Sequence, residues 1–127
     1  RTFCYETEDE KRVEAALRHF LPEEFEVQRV ESTGHHGDRI VVFSARVEKA
    51  DDIRTVLSTL REGADIERLR EELADRVTEN CEFFAHLDKQ AAYRGETRLG
   101  DGLSLRAKVE AYPAKREAAV ENAREAL

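Results

Sequence analysis

The chain has 127 residues, with 28 Asp and Glu against 21 Lys and Arg and a formal net charge of −7 at pH 7. That length suits a single domain over 1–127, large enough to bury about two-thirds of its unfolded surface without disulfide or metal staples. No apolar run approaches the ~20 residues of a membrane span and no secretory signal pattern appears, so a soluble, cytoplasmic protein without a membrane partner is expected. With Arg1 first and no Met anywhere, the native start is expected to be missing.

Residues 1–7 (RTFCYET) read as a strand, and Thr7 with Glu10 makes a capping box that predicts a helix over 8–21. Val13, Ala16, Leu17, Phe20 and Leu21 fall on one stripe of that helix, and Pro22 stops it. Phe25 and Val27 alternate with charge into a second strand. The turn at 34–38 leads into a third, Arg39–Val47, whose residues Ile40–Phe43 are apolar on both faces and so predict a central position in the sheet. Ile53, Val56, Leu57 and Leu60 predict a short helix ending near Gly63, and Ile66, Leu69, Leu73 and Val77 a second running to about Asn80. Glu82–Leu87 reads as a strand and Asp88–Tyr93 as a helical turn. Glu96–Leu99 is expected to pair across Gly100-Asp101-Gly102 with Leu103–Tyr112. In that last strand Leu103, Leu105, Ala107, Val109 and Ala111 face one way, and Ser104, Arg106, Lys108 and Glu110 the other. Pro113 suits the first position of a closing helix with Val120, Ala123 and Leu127 on its narrow apolar face. The order predicts an α+β domain, a mostly antiparallel sheet with helices packed on one face and the other face free to bind.

Four histidines and many carboxylates are raw material for catalysis, yet none stands in a GxSxG, HExxH or phosphate-cradling GxxxxGK arrangement. His35 and His36, followed by Asp38, read as solvated turn residues, and His19 and His86 as structural ones. Cys4 and Cys81 lack the paired spacing of a zinc site and read as buried reduced thiols. No catalytic residue, metal or cofactor is therefore expected. The mixed signs of Glu67, Arg68, Arg70, Glu71, Glu72, Asp75 and Arg76 read as a solvated helix surface.

Residues 88–116 form the one long net-positive block, with Lys89, Arg94, Arg98, Arg106, Lys108, Lys115 and Arg116 against Asp88, Glu96, Asp101 and Glu110. If Glu96, Arg98, Arg106, Lys108 and Glu110 share a face, two strands gather three cations, with Lys89 and Arg94 on the approach. Arg grips phosphate through two parallel bonds, and Tyr93 or Tyr112 offers a ring to an unpaired base. The bland alternative is that these cations pair across the strands with Glu96 and Glu110.

The run CEFFAHLDKQAAYRGETRLGDGLSLRAKVEAYPAKREAAVENAREAL, the opening RTFCYETEDEKRVEAALRHFLPEEFE and the hairpin GHHGDRIVVFSARVE resemble an archaeal family of predicted exosome subunits or RNA-binding proteins. The resemblance covers essentially the whole chain. Its most specific piece is Leu87-Asp88-Lys89-Gln90-Ala91 with Gly95, between two strands. It implies a fold like the large-subunit ribosomal protein that binds the 5S RNA, likened also to double-stranded-RNA-binding domains, and RNA binding in company with RNA-processing machinery. The acid excess, with 16 Arg to 5 Lys, resembles the proteins of salt-loving archaea. In such salt a charge of −7 says little about partners, and phosphate binding by charge alone is weakened.

The leading expectation is a non-enzymatic RNA-binding module that sets the seven cations of 88–116 against the phosphates of structured RNA. A-form helices are read chiefly through phosphates and 2′-hydroxyls, which takes arginines and few aromatics. A different class of reading is a scaffold subunit that docks proteins on the open sheet face, or self-associates as a homo-oligomer, without touching RNA. A small hydrolase built on Asp88 and His86 is a third, lacking a second catalytic carboxylate at a defined spacing.

Overall fold

Apolar residues at alternate strand positions and at three-to-four spacing in the helices can all be buried if the helices lie on a single face of the sheet. The computed structural model, which describes residues 1–34, 36–111 and 115–127, has that arrangement. Its elements are β1 (Thr2–Tyr5), α1 (Glu10–Arg18), β2 (Gln28–Thr33), β3 (Arg39–Ser44), α2 (Ala50–Arg61), α3 (Ile66–Glu71), α4 (Leu73–Arg76), β4 (Glu82–Asp88), α5 (Lys89–Tyr93), β5 (Gly102–Lys108) and α6 (Arg116–Ala126). The strands form one antiparallel sheet in the order β2-β3-β1-β5-β4.

Register sorts the residues. Cys4 lies opposite Val41 and Thr2 opposite Phe43, while Leu87 faces Leu103 and Phe83 faces Ala107. Thr2, Cys4, Val41, Phe43, Phe83, Ala85, Leu87 and Leu103 are all buried on this side. The apolar ones pack with Val13, Leu17 and Phe20, with Leu60, Leu69 and Leu73, and with Ala119, Val120 and Ala123 in one core. On the other face Phe3, Ile40, Val42 and Phe84 are half-buried, and Tyr5, Val30, His86, Ser104, Arg106 and Lys108 are exposed. The expected two-sided sheet, helices on one face and the other open, is what the chain builds.

The sheet divides into two wings. β2, β3 and β1 pair along their lengths, as do β5 and β4, but β1 and β5 share only the pair Thr2–Leu103. This seam is braced by Thr2 Oγ1, which donates to the Gly102 carbonyl at 2.6 Å, and by the Ser104 N–H, which donates to the Arg1 carbonyl at 2.8 Å.

Several expected boundaries shift for local reasons. Helix α1 begins at Glu10, capped by Asp9 Oδ1 accepting from the Lys11 N–H at 2.9 Å, so Asp9 takes the capping role expected of Thr7. The both-faced strand β3 is interior, between β2 and β1, and ends at Ser44. The helix expected over 64–80 breaks at Glu72 (φ −93°, ψ 4°) into α3 and α4, after which Val77 turns extended and bridges Phe83. Breaking there lets Val77 reach the edge of β4, which a continued helix would deny it.

The hairpin expected between Glu96–Leu99 and the last strand is not formed. Leu99 instead bridges Leu87 on the far edge of β4, with the Asp88 N–H donating to the Arg98 carbonyl (2.9 Å) and the Gly100 N–H to that of His86 (3.1 Å). The chain then rounds the end of β4, and β5 enters on its other edge, so that Gly102–Lys108 runs against Glu82–Asp88. Pairing with β4 aligns Leu103, Leu105 and Ala107 with Leu87, Ala85 and Phe83, an apolar match that the short segment 96–99 cannot offer. Gly102 makes the return possible: its φ is +107°, and a Cβ there would lie 2.7 Å from Lys89 Cβ. Tyr112 and Pro113 lie outside the described residues, and α6 buries Ala119, Val120 and Ala123.

Candidate nucleic-acid interface

Because Leu103, Leu105 and Ala107 turn toward the helices, Ser104, Arg106 and Lys108 project from the open face of β5. Arg106 stands opposite Phe84 and Lys108 opposite Glu82. The Arg106 side chain is 79% exposed, and its ion-pair partner Glu82 is 4.0 Å away, at the outer limit of such a contact. Lys108 has no ion pair among the described residues. On the adjoining strand the His86 ring lies opposite Ser104, whose Oγ is 3.5 Å from Nδ1, and the Phe84 ring is 6.4 Å from that of His86, tilted by 59°. At the seam the Arg1 guanidinium lies 5.0 Å over the Phe3 ring.

The other five cations of the block are elsewhere. Lys89 turns inward, its side chain 12% exposed, with Nζ 2.7 Å from Glu8 Oε2 and donating to the Phe3 carbonyl at 3.0 Å. Burial pushes the Glu8 carboxyl up, but hydrogen bonds from Lys89 and the Tyr5 N–H, with the Lys89 charge, outweigh it and hold the group below its ordinary range. Lys89 thus ties α5 to the first strand and its turn. Arg116 donates to the Val77 carbonyl at 3.0 Å and to that of Ala74, fastening α6 to α4. Arg98 lies on the far edge of β4, paired with Glu96 at 3.2 Å, and two strand spacings with four residues of rise put it roughly 16 Å from Arg106. Arg94 follows α5, which packs on α1, and Lys115 is exposed at the start of α6.

Glu96 and Arg98 are exposed on the side opposite Thr97 and Leu99, the open side that Arg106 and Lys108 also take, but two strand spacings away, so the three cations are not gathered together. Arg106 and Lys108 remain together, and Arg98 belongs to another edge. Tyr93 sits on α5 beneath the Arg12 guanidinium (5.4 Å), away from the sheet face, and Tyr112 lies outside the described residues. The rings beside Arg106 are Phe84 and His86, which sequence reasoning passed over as a ligand surface. Their signal was the phase of β4: with Phe83, Ala85 and Leu87 inward, Phe84 and His86 must face out.

His19 and Asp88 are held in structural roles and the two cysteines are buried. His19 bonds Thr97 Oγ1 at 2.8 Å, and burial lowers its pKa. Asp88 Oδ1 accepts from the Ala91 N–H at 2.8 Å and caps α5. Cys4 and Cys81 are free and buried, and the Cys4 thiol is raised first by that burial, then by Glu8 and Glu10. His35 lies outside the described residues. No group of three or more His, Cys, Asp or Glu among the described residues is placed to hold a metal ion, and no helix there is long and apolar enough to cross a membrane.

Comparison with known proteins agrees with this fold. A Pyrococcus abyssi protein, named as an RNA-binding protein, is 36% identical, the match spanning all of this chain and 90% of that one. A crystal structure of a protein from Archaeglobus fulgidus, assigned to the DUF54 family, is similar with a TM-score of 0.86 at 31% identity, covering 99% of this chain and 94% of the other. A DUF54 protein from Methanothermobacter thermautotrophicus has a TM-score of 0.81 at 42% identity, covering 99% and 93%. Residues 1–110 match the family described as RNA binding, and the chain belongs to that family.

Proposed function

We propose that the protein binds RNA, without catalysing a reaction on it, through the open face of the β5–β4 wing, with Arg106 and Lys108 on phosphates. The observation that carries this reading is the contrast in partners. Arg106 and Lys108 share a helix-free face with no carboxylate closer than 4.0 Å in an ion pair, whereas Lys89 and Arg116 are consumed internally. Membership of the RNA binding family, and a relative named an RNA-binding protein, support it. Two cations on one flat strand suit the backbone of a structured RNA, where phosphates fix position and carry little sequence information. Filter binding of unrelated hairpins is the test: replacing both residues with Ala lowers affinity for all of them by a similar factor.

Work alongside RNA-processing machinery such as the exosome, in the cytoplasm of a salt-loving archaeon, is the finer part of the proposal and rests on the family resemblance and composition noted above. A pull-down at high salt that recovers RNA, with partner proteins lost on ribonuclease treatment, is the expected result. A scaffold reading has its own supporting observation: Val30, 57% exposed, lines up with Val42 and Phe3 across the other wing in an apolar row. Partners that survive ribonuclease and are lost on Val30→Asp support that reading.

A further inference from the structure

We propose that the same face holds a stacking site for one unpaired base of the RNA, with Phe84 as the platform, His86 and Ser104 at its polar edge and Arg106 on the adjoining phosphate. This rests on the RNA-binding reading and narrows its ligand to structured RNA carrying a bulged or looped-out nucleotide. Phe84 has no part in the core: its strand neighbours Phe83 and Ala85 are 4% and 1% exposed, while its own ring lies half-buried on the opposite face. Register places Arg106 directly across from Phe84 and Ser104 directly across from His86. Ring, guanidinium, hydroxyl and imidazole thus occupy the corners of a patch roughly 5 by 7 Å, about the size of one base.

The chemistry at each corner is available. The Ser104–His86 contact is 3.5 Å, long for a hydrogen bond to a hydroxyl, so both groups can turn to donors and acceptors on a base edge. The His86 ring meets Phe84 at a tilt of 59°, so it borders the Phe84 ring without covering its face. A paired base inside a duplex has both faces occupied by its neighbours, and only an unpaired one can lay a face on Phe84. In the apolar row of the other wing Val30 and Val42 are aliphatic, and the ring of Phe3 already carries the Arg1 guanidinium at 5.0 Å.

Three hairpins test this: one fully paired, one with a single bulged nucleotide, and one with an abasic residue at the bulge. Wild type is expected to favour the bulged probe over the abasic one by about 5- to 150-fold, the span of base–aromatic stacking. Phe84→Leu, which keeps an apolar side chain on the open face, should erase that preference, and Phe84→Trp should keep it. Arg106→Ala with Lys108→Ala should weaken all three probes together. Equal binding of bulged and abasic probes by wild type, or a preference that survives Phe84→Leu, overturns the stacking site and leaves RNA binding standing. No binding of any probe by folded protein at low salt overturns both.

Discussion

In the β2–β3–β1 wing, Arg29 and Arg39 share Glu10 and Glu31 through four ion pairs of 2.5 to 3.5 Å; in the β5–β4 wing, Arg106 has one carboxylate at 4.0 Å and Lys108 none among the described residues. Hydrogen bonds from Arg29 and then Arg39 hold the Glu31 carboxyl below its ordinary range, so the first set is a neutralised network. To take a phosphate, Arg29 would first have to shed two carboxylates, and Arg106 has little to shed. The difference lies in partners, not in the number of cations. It also follows the faces: the network sits on the helix side, where Glu10 of α1 reaches it, and the β5 pair on the side no helix covers.

The wings differ in surface but share a core, and the largest expected effect tests that sharing. Phe43, 1% exposed in one wing, and Phe83, 4% exposed in the other, should each cost about 3–5 kcal/mol on replacement by Ala. Denaturant titration should show one cooperative transition for each variant, and two separated transitions would make the wings independent units. At the seam, Gly102→Ala should cost about 1–3 kcal/mol, since its φ of +107° strains any side chain and the added Cβ meets Lys89.

A smaller effect belongs to the Lys89–Glu8 tie. Glu8 has a folded-state pKa below its unfolded one, so its contribution is fully present above the ordinary glutamate value of about 4.3 and is lost as pH falls through the depressed value. Acid unfolding monitored by circular dichroism should be less steep below about pH 4.3 for Glu8→Gln than for wild type. An unchanged acid limb would place the stabilisation elsewhere.

What could be read from the chain, and what could not, follows from which properties are local. Alternation in 103–108 placed Arg106 and Lys108 on one face because period two is a property of the strand itself. The apolar run 40–43 likewise required neighbours on both sides of β3, and the 13-16-17-20 stripe a covered helix. Pairing partners were a different matter. Gly100-Asp101-Gly102 announces a reversal, but the same turn serves a hairpin or a detour around the end of β4, and only the apolar match along β4 decides between them. Counting charge over 88–116 treated Lys89 as equal to Lys108, since composition carries no burial; the carboxylate that absorbs Lys89 is 81 residues away. Phe84 was passed over because an aromatic next to Phe83 reads as core until the phase of β4 is known.

The central claim, that Arg106 and Lys108 meet phosphate on the open face of the sheet, is tested most directly by the salt dependence of RNA binding. Wild type, Arg106→Ala/Lys108→Ala and Arg29→Ala/Arg39→Ala should be titrated against one hairpin at several salt concentrations. Each lost phosphate contact removes about 0.7–0.9 from the slope of log affinity against log salt, so the β5 double variant should flatten it by about 1.4–1.8. The Arg29/Arg39 variant, whose cations are already neutralised, should leave the slope close to that of wild type. A wild-type slope in the β5 variant, or an equal flattening in both, would contradict the account.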